Sequence, residues 1–398
     1  LCGTFILPDA PQVCFWLATL LFLLKALPDR ELTSKSRRFI LFAGVTAGLA
    51  MLSKYHSAFL LLGVVAYVLF YNRKWFRAKE FYGFFVIAAL LFLPVLCWNI
   101  GNNFMSFTYH ENRVTITGSG LRPQYFLTEV VGEFFYNNPV NVVIIVSSLI
   151  ALVRRRQFLP VACEKILLWT SIPLVLVFLS FSLFRSTLPH WTGPGYLGLI
   201  ILAAAFLSEP SKNRNRLRLI PWPLALSLAI LLAVAVTAMG QIRYGWIRLN
   251  SPKSDDPSLD MTGWKQLGEK FAPLAGREEK MHLIAKGSPI LTFRWFPAAN
   301  FDYYLAKKIH KPVYALGSLE RIHKYHWINQ FHGSLWKGSD AWFIALSDDY
   351  EDPVALYGEL FTTIVPTDTL FITRGRDTVR RAFVFRMLDL KKEMVFQH

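Results

Sequence analysis

Residues 81–98 read FYGFFVIAALLFLPVLCW, an apolar run without one charged side chain. A helix needs about 20 such residues, each rising ~1.5 Å, to cross the hydrocarbon of a bilayer, so the stretch is predicted to span a membrane. Its two flanks differ in charge. Arg73, Lys74, Arg77 and Lys79 precede it, whereas WNIGNNFMSFTYHENRV (98–114) follows and is rich in amides and aromatics. Lysine and arginine collect on the cytoplasmic side of spans. The 73–79 segment is therefore predicted inside and the long 99–137 loop outside.

Working outward, the same alternation runs through most of the chain. Apolar segments near 11–27, 39–53, 56–71, 81–98, 138–153, 165–184, 194–208 and 219–239 make about eight predicted spans. One set of loops holds Lys25, Arg30, Lys35, Arg37 and Arg38, then Arg73 to Lys79, then Arg154, Arg155, Arg156 and Lys165, then Lys212, Arg214, Arg216 and Arg218. The opposite set holds only Lys54, Arg113, Arg122 and Arg185. The chain is 53% hydrophobic over 398 residues, with a mean hydropathy of +0.34, which is too apolar for one soluble domain of this length. Its net charge of +16 is thus a topology signal, and no nucleic-acid partner is expected.

Polarity returns to ordinary values after about residue 240. SPKSDDPSLD (251–260) reads as a linker, broken by proline and aspartate. Beyond it, GWKQLGEKFAPL is predicted to be an amphipathic helix, AANFDYYLAKK a second helix, and ILTFR, PVYAL and AWFIAL buried strands. The expected organisation is an all-α polytopic membrane domain over 1–240 and an α/β extracytoplasmic domain over 241–398. The cysteines are Cys2, Cys14, Cys97 and Cys163, so the outer domain has none and the chain has no disulfide framework or Cys-x-x-Cys metal motif. An outer domain of that kind suits a bacterial periplasm.

Polar residues are scarce within the predicted spans and gather at their outer ends, in FILPDAP (5–11), LSKYHS (52–57), the 98–114 segment and FRSTLPHWTGPGY (184–196). Asp9 either caps the helix that follows it or belongs to a site. Lys54, beside Tyr55 in a tight turn, either snorkels to the interface or meets a lipid phosphate as a point charge. His110 and Arg113, near Tyr109 and Glu111, are ordinary loop charges or phosphate ligands, with Arg able to bind bidentately. RPQYFLTEVVGEFFYNN is predicted to be an interfacial helix with Glu129 and Glu133 on one face, where like charges repel weakly. His190, between Pro189 and Trp191, stands alone as a weak signal. His323, His326 and His332 do not have the spacing of a standard metal site.

Taken in order, PDAPQVCFW, GLAMLSKYHSAFLLLG, CWNIGNNFMSFTYHENRV and LPHWTGPGYLGLIILAA resemble bacterial glycosyltransferase family 39 proteins. These are relatives of the dolichyl-phosphate-mannose–protein mannosyltransferases, with the architecture called GT-C. The resemblance covers about residues 3–210, and TGWKQL, YYL and HKYHW extend it into the outer domain. It implies a multi-pass inner-membrane enzyme. Such an enzyme moves a sugar, with inversion, from a polyprenyl-phosphate-linked donor to a lipid, glycan or protein acceptor at the periplasmic face. A divalent metal is a possible cofactor of such enzymes.

Carried over by position, Asp9 matches the second outer-loop acid, which implies a catalytic role, Lys54 the lysine near the lipid phosphate, and His190 a recurrent Pro-His-Trp histidine. Tyr55, His110 and Arg113 fall among the donor contacts. The family's principal acidic pair lies in the first outer loop. Because this sequence opens at Leu1, near the end of what should be a third span, that pair is expected upstream, and the general base with it. Two other functions compete. A flippase of lipid-linked sugars predicts mid-span charges and repeated broken helices, and a plain anchor for the outer domain gives the outer-end polar residues no reason to converge.

Overall fold

The computed structural model describes residues 8–108, 120–212, 220–247 and 256–396. By its internal contacts the chain separates into two compact units, Leu1–Leu232 and Ala233–His398. The first unit is helical. Its long helices are α1 (Asp9–Ala26), α2 (Ser34–Ser53), α3 (Ala58–Tyr71), α4 (Lys79–Gly101), α5 (Pro123–Tyr136), α6 (Pro139–Val153), α7 (Val161–Ser182) and α8 (Gly193–Lys212), and α9 (Trp222–Tyr244) follows. A helix lies over each apolar segment named above. Among the described residues α1, α4, α7 and α9 are long and apolar enough to cross a membrane singly. The interfacial stretch forms α5, which is bent by 101° against α6. Asn138 makes that corner at φ 63°, and its side chain accepts from the Val140 amide while Pro139 opens α6. Asparagine tolerates the left-handed region, and proline fits the first turn because no partner is needed there.

The helices approach through small side chains, as expected where the surrounding lipid supplies no hydrophobic drive for association. Gly44 and Gly48 lie one turn apart on α2 and face α4. A β-carbon on Gly44 would sit 2.7 Å from the Phe84 carbonyl oxygen, and one on Gly48 would sit 2.9 Å from Leu91. Gly63 of α3 meets α7 in the same way, 2.6 Å from the Trp169 carbonyl. Around these crossings Leu23, Ile40, Val64, Val68, Trp75 and Phe84 form a fully buried core.

The second unit is α/β. It contains α10 (Trp264–Lys280), β1 (Ile290–Thr292), α11 (Trp295–Phe301), β2 (Val313–Ala315), α12 (Tyr325–His332), β3 (Ala341–Leu346), β4 (Phe361–Arg374) and β5 (Asp377–Leu390). The strand order is β2-β1-β3-β5-β4. β1 pairs in parallel with β2 and β3, while β3–β5 and β4–β5 are antiparallel. The three predicted strands are β1, β2 and β3, which lie side by side at the parallel end of the sheet and are buried along their whole length. The β4–β5 hairpin was not predicted, because its residues alternate between buried and exposed and Pro366 interrupts the apolar pattern. The predicted 298–308 helix runs continuously from α11 but widens into a π-turn over Asp302–Ala306.

Candidate active site

The sequence places Pro8 and Asp9 at the head of α1, and the fold puts Lys54 beside them. α2 ends at Ser53. Lys54 then adopts an extended conformation (φ −153°, ψ 136°), and Tyr55–Ser57 form one 3-10 turn that leads into α3. This reversal brings the Lys54 ammonium to 2.5 Å from Asp9 Oδ1, with both side chains 19% exposed. Three residues along each chain, the buried Gln12 amide donates to the buried Ser57 hydroxyl at 2.8 Å. Two polar links of equal sequence separation therefore fasten the head of α1 to the α2–α3 turn.

Asp9 is the first residue of α1, and the N-cap position is Pro8, without a side-chain cap. The carboxylate is thus engaged by Lys54 while lying in the first helical turn, where the helix dipole also favours negative charge. A half-buried ion pair of this kind is held by geometry more than by its net energy, since desolvation offsets most of the attraction.

His190 lies in the 3-10 turn Pro189–Trp191, between α7 and α8. Burial pushes its imidazole below the usual range, the nearby Lys54 charge lowers it further, and Asp9 opposes both. Both charges therefore act on the His190 ring, and the net lowering favours its neutral form. Tyr55 stacks on Phe107 at 5.5 Å and meets Phe92 edge-on at 5.6 Å, so the start of the long outer segment reaches this turn. His110 and Arg113 lie outside the described residues.

A second polar group surrounds the same 189–196 segment. Glu129 and Glu133 are buried on the inner face of α5. Tyr196 of α8 donates to Glu133 Oε2 at 2.9 Å. Gly132 lets α5 lie directly on Pro189, for a β-carbon there would sit 2.5 Å from the proline ring. The sequence put the two glutamates on one face but did not single out Tyr196. Its only signal was a tyrosine at the polar entrance of an apolar run. Among the described residues no group of three His, Cys, Asp or Glu side chains is placed to hold a metal ion.

A bundle of apolar helices with an ammonium, a carboxylate and an imidazole gathered at helix ends is a membrane protein with a polar site at one face. Residues 2–98, which include Asp9 and Lys54, match the family described as dolichyl-phosphate-mannose-protein mannosyltransferase. The chain is also similar to the crystal structure of ArnT from Cupriavidus metallidurans bound to undecaprenyl phosphate. That likeness has a TM-score of 0.50 and 17% identity, and it covers 94% of this chain and 73% of that one. The apo structure of the same protein gives a TM-score of 0.48 at 15% identity, covering 95% and 74%. No curated protein matches the sequence. The family match thus covers the first quarter of the chain, residues 2–98, and the structural likeness shows a shared fold over nearly its whole length.

Proposed function

We propose that the protein is a membrane glycosyltransferase that takes a sugar from a polyprenyl-phosphate-linked donor and passes it, with inversion, to an acceptor at the periplasmic face of a bacterial inner membrane. The observation that carries this reading is the Lys54–Asp9 pair, held by two links at helix ends beside a neutral His190. The family match over residues 2–98 and the undecaprenyl phosphate bound by the structural neighbour support the choice of donor.

The chemistry needed is modest. The donor's phosphate is already a leaving group, so the transition state gains most from a fixed cation where negative charge develops. Lys54 supplies that cation. Asp9 holds the ammonium in place and balances its charge when the lipid phosphate is absent. Neutral His190 can donate one hydrogen bond to the phosphate without adding a second desolvated charge. Tyr55 walls the site, and His110 and Arg113 are proposed as further donor contacts. The outer placement follows from the basic loops, which face the cytoplasm. A flippase has less support, because the charged side chains collect at helix ends rather than within the spans.

The test is undecaprenyl phosphate binding by the protein in lipid nanodiscs. A hydrogen-bonded charge of this kind contributes about 1.5–3 kcal/mol, so Lys54→Ala is expected to weaken binding by about tenfold or more. Lys54→Arg should keep part of the affinity, and Asp9→Asn should lower sugar transfer more than lipid binding. Unchanged affinity in Lys54→Ala would reduce the lysine to an interfacial anchor and remove the basis of the reading.

A further inference from the structure

The Ala233–His398 unit contains a cleft of 880 Å³ that the transfer reading does not use. Small-molecule sites occupy roughly 300–1,000 Å³, so it is large enough for a ligand of two sugar rings. Its walls come from the α11 segment with the following π-turn and from the start of α12. Two aromatic side chains in it are open to solvent, Trp295 at 43% and Tyr303 at 63% exposure. Trp295 is held against the His323 ring at 5.3 Å. Lys307 lies over the Tyr303 ring at 5.5 Å. Lys324 adds a second cation to the lining, and Lys311 is neutralised by its ion pair with Glu279. Asp302 is the carboxylate within the lining.

The widened turn has a consequence for this geometry. A π-turn inserts one residue into the helical repeat and re-aims the side chains around it, which is why such turns recur at binding sites. Here Asp302 and Tyr303 of the turn, and Lys307 just after it, all line the cleft.

We propose that this cleft binds an acidic saccharide, meaning a sugar that carries a phosphate or comparable anionic group. The C–H face of a pyranose ring is apolar and stacks on aromatic rings such as Trp295 and Tyr303. Asp302 accepts from ring hydroxyls. Lys307 and Lys324 meet the anionic group, in a concave site whose low-dielectric walls strengthen the attraction. A neutral sugar leaves the two lysines without a partner, and a bare anion leaves the aromatic faces uncovered. The site lies wholly in the second unit, so it stands or falls separately from the transfer reading.

The experiment measures binding to the full chain in detergent by saturation-transfer NMR and calorimetry, with maltose 1-phosphate, maltose, inorganic phosphate and AMP as probes. The expected result is that maltose 1-phosphate binds at least tenfold more tightly than the other three and weakens as salt rises. Tyr303→Ala, at an exposed position that leaves the fold intact, and the Lys307→Ala/Lys324→Ala pair should each lower that affinity at least tenfold, while undecaprenyl phosphate binding stays unchanged. Equal binding of inorganic phosphate makes the cleft a simple anion site, and equal binding of maltose removes the role of the lysines. Equal binding of AMP removes the saccharide class. Absence of binding, or full affinity in both variants, overturns the proposal.

Discussion

Asp9 and Lys54 stand 45 positions apart in sequence, and either one alone has an ordinary explanation as a helix-end residue or an interfacial lysine. Their 2.5 Å contact makes them one unit, and both charges act on the His190 ring. The electrostatics of His190 give a specific prediction. Burial and Lys54 both disfavour its imidazolium, so removing the lysine charge should raise its titration midpoint. In Lys54→Met, which keeps the stem and drops the charge, labelled-histidine NMR is expected to show that midpoint moving upward. Asp9→Asn should move it downward, because the carboxylate is the one group that favours the charged ring. The sign for stability follows from the depressed folded value. His190's contribution is present above the unfolded midpoint of about 6.5 and is lost as pH falls through the folded one.

At the level of helices, α2 carries the tightest constraint. Gly44 and Gly48 bring its backbone against α4, and the same helix ends at Ser53, immediately before Lys54. Gly44→Leu is expected to force the two helices apart. Overpacking of a tight contact costs about 1–3 kcal/mol, and the thermal midpoint in detergent should fall accordingly, with undecaprenyl phosphate binding lost before the helices unfold. Gly83→Ala on α4 is the milder comparison, since its β-carbon would meet only the flexible end of Leu41. Equal stability of the two variants would show that the α2–α4 crossing does not depend on the glycines. In the α/β unit, Arg374 donates to Asp256 at 2.7 Å and to Ser258 at 2.7 Å, with both ionic side chains 7% exposed. Burial raises the Asp256 carboxyl, but the hydrogen bonds from Ser258 and Arg374 outweigh it and leave the group below its ordinary 3.8. A depressed carboxyl stabilises above its unfolded value and loses that contribution as pH falls through the folded one. Unfolding of this unit should therefore become easier below about pH 4. Arg374→Met should destabilise it by about 3 kcal/mol or more at neutral pH, since it strands a buried carboxylate.

For the molecule as a whole, the charge alternation predicts an orientation that can be measured directly. In a background with Cys2, Cys14, Cys97 and Cys163 changed to serine, Lys286→Cys in the α/β unit is expected to react with a membrane-impermeant maleimide on spheroplasts. Lys74→Cys should react only after the membrane is opened. Both positions are exposed, so reversed labelling would invert the topology and move the proposed site to the cytoplasmic face. Much of the helical architecture was legible beforehand because a bilayer demands long apolar helices. β1, β2 and β3 were legible as short continuous apolar runs. The β4–β5 hairpin was harder to read, because Arg380, Arg381 and Arg386 interrupt the apolar positions of β5. Arg380 is nonetheless buried, with Asp348 as its ion-pair partner at 2.6 Å and the Trp264 ring beneath it.

The sequence by itself determined that this chain lies in a membrane with its unusual polar residues at one set of helix ends, since hydropathy and charge are local properties that follow the chain. Only the tertiary structure decided which of those residues meet. Asp9 with Lys54, Gln12 with Ser57 and Glu133 with Tyr196 are contacts across 45, 45 and 63 positions, and the packing of helices distant in sequence determines them. The widened turn at Asp302–Ala306 is likewise a property of packing that helical periodicity does not contain.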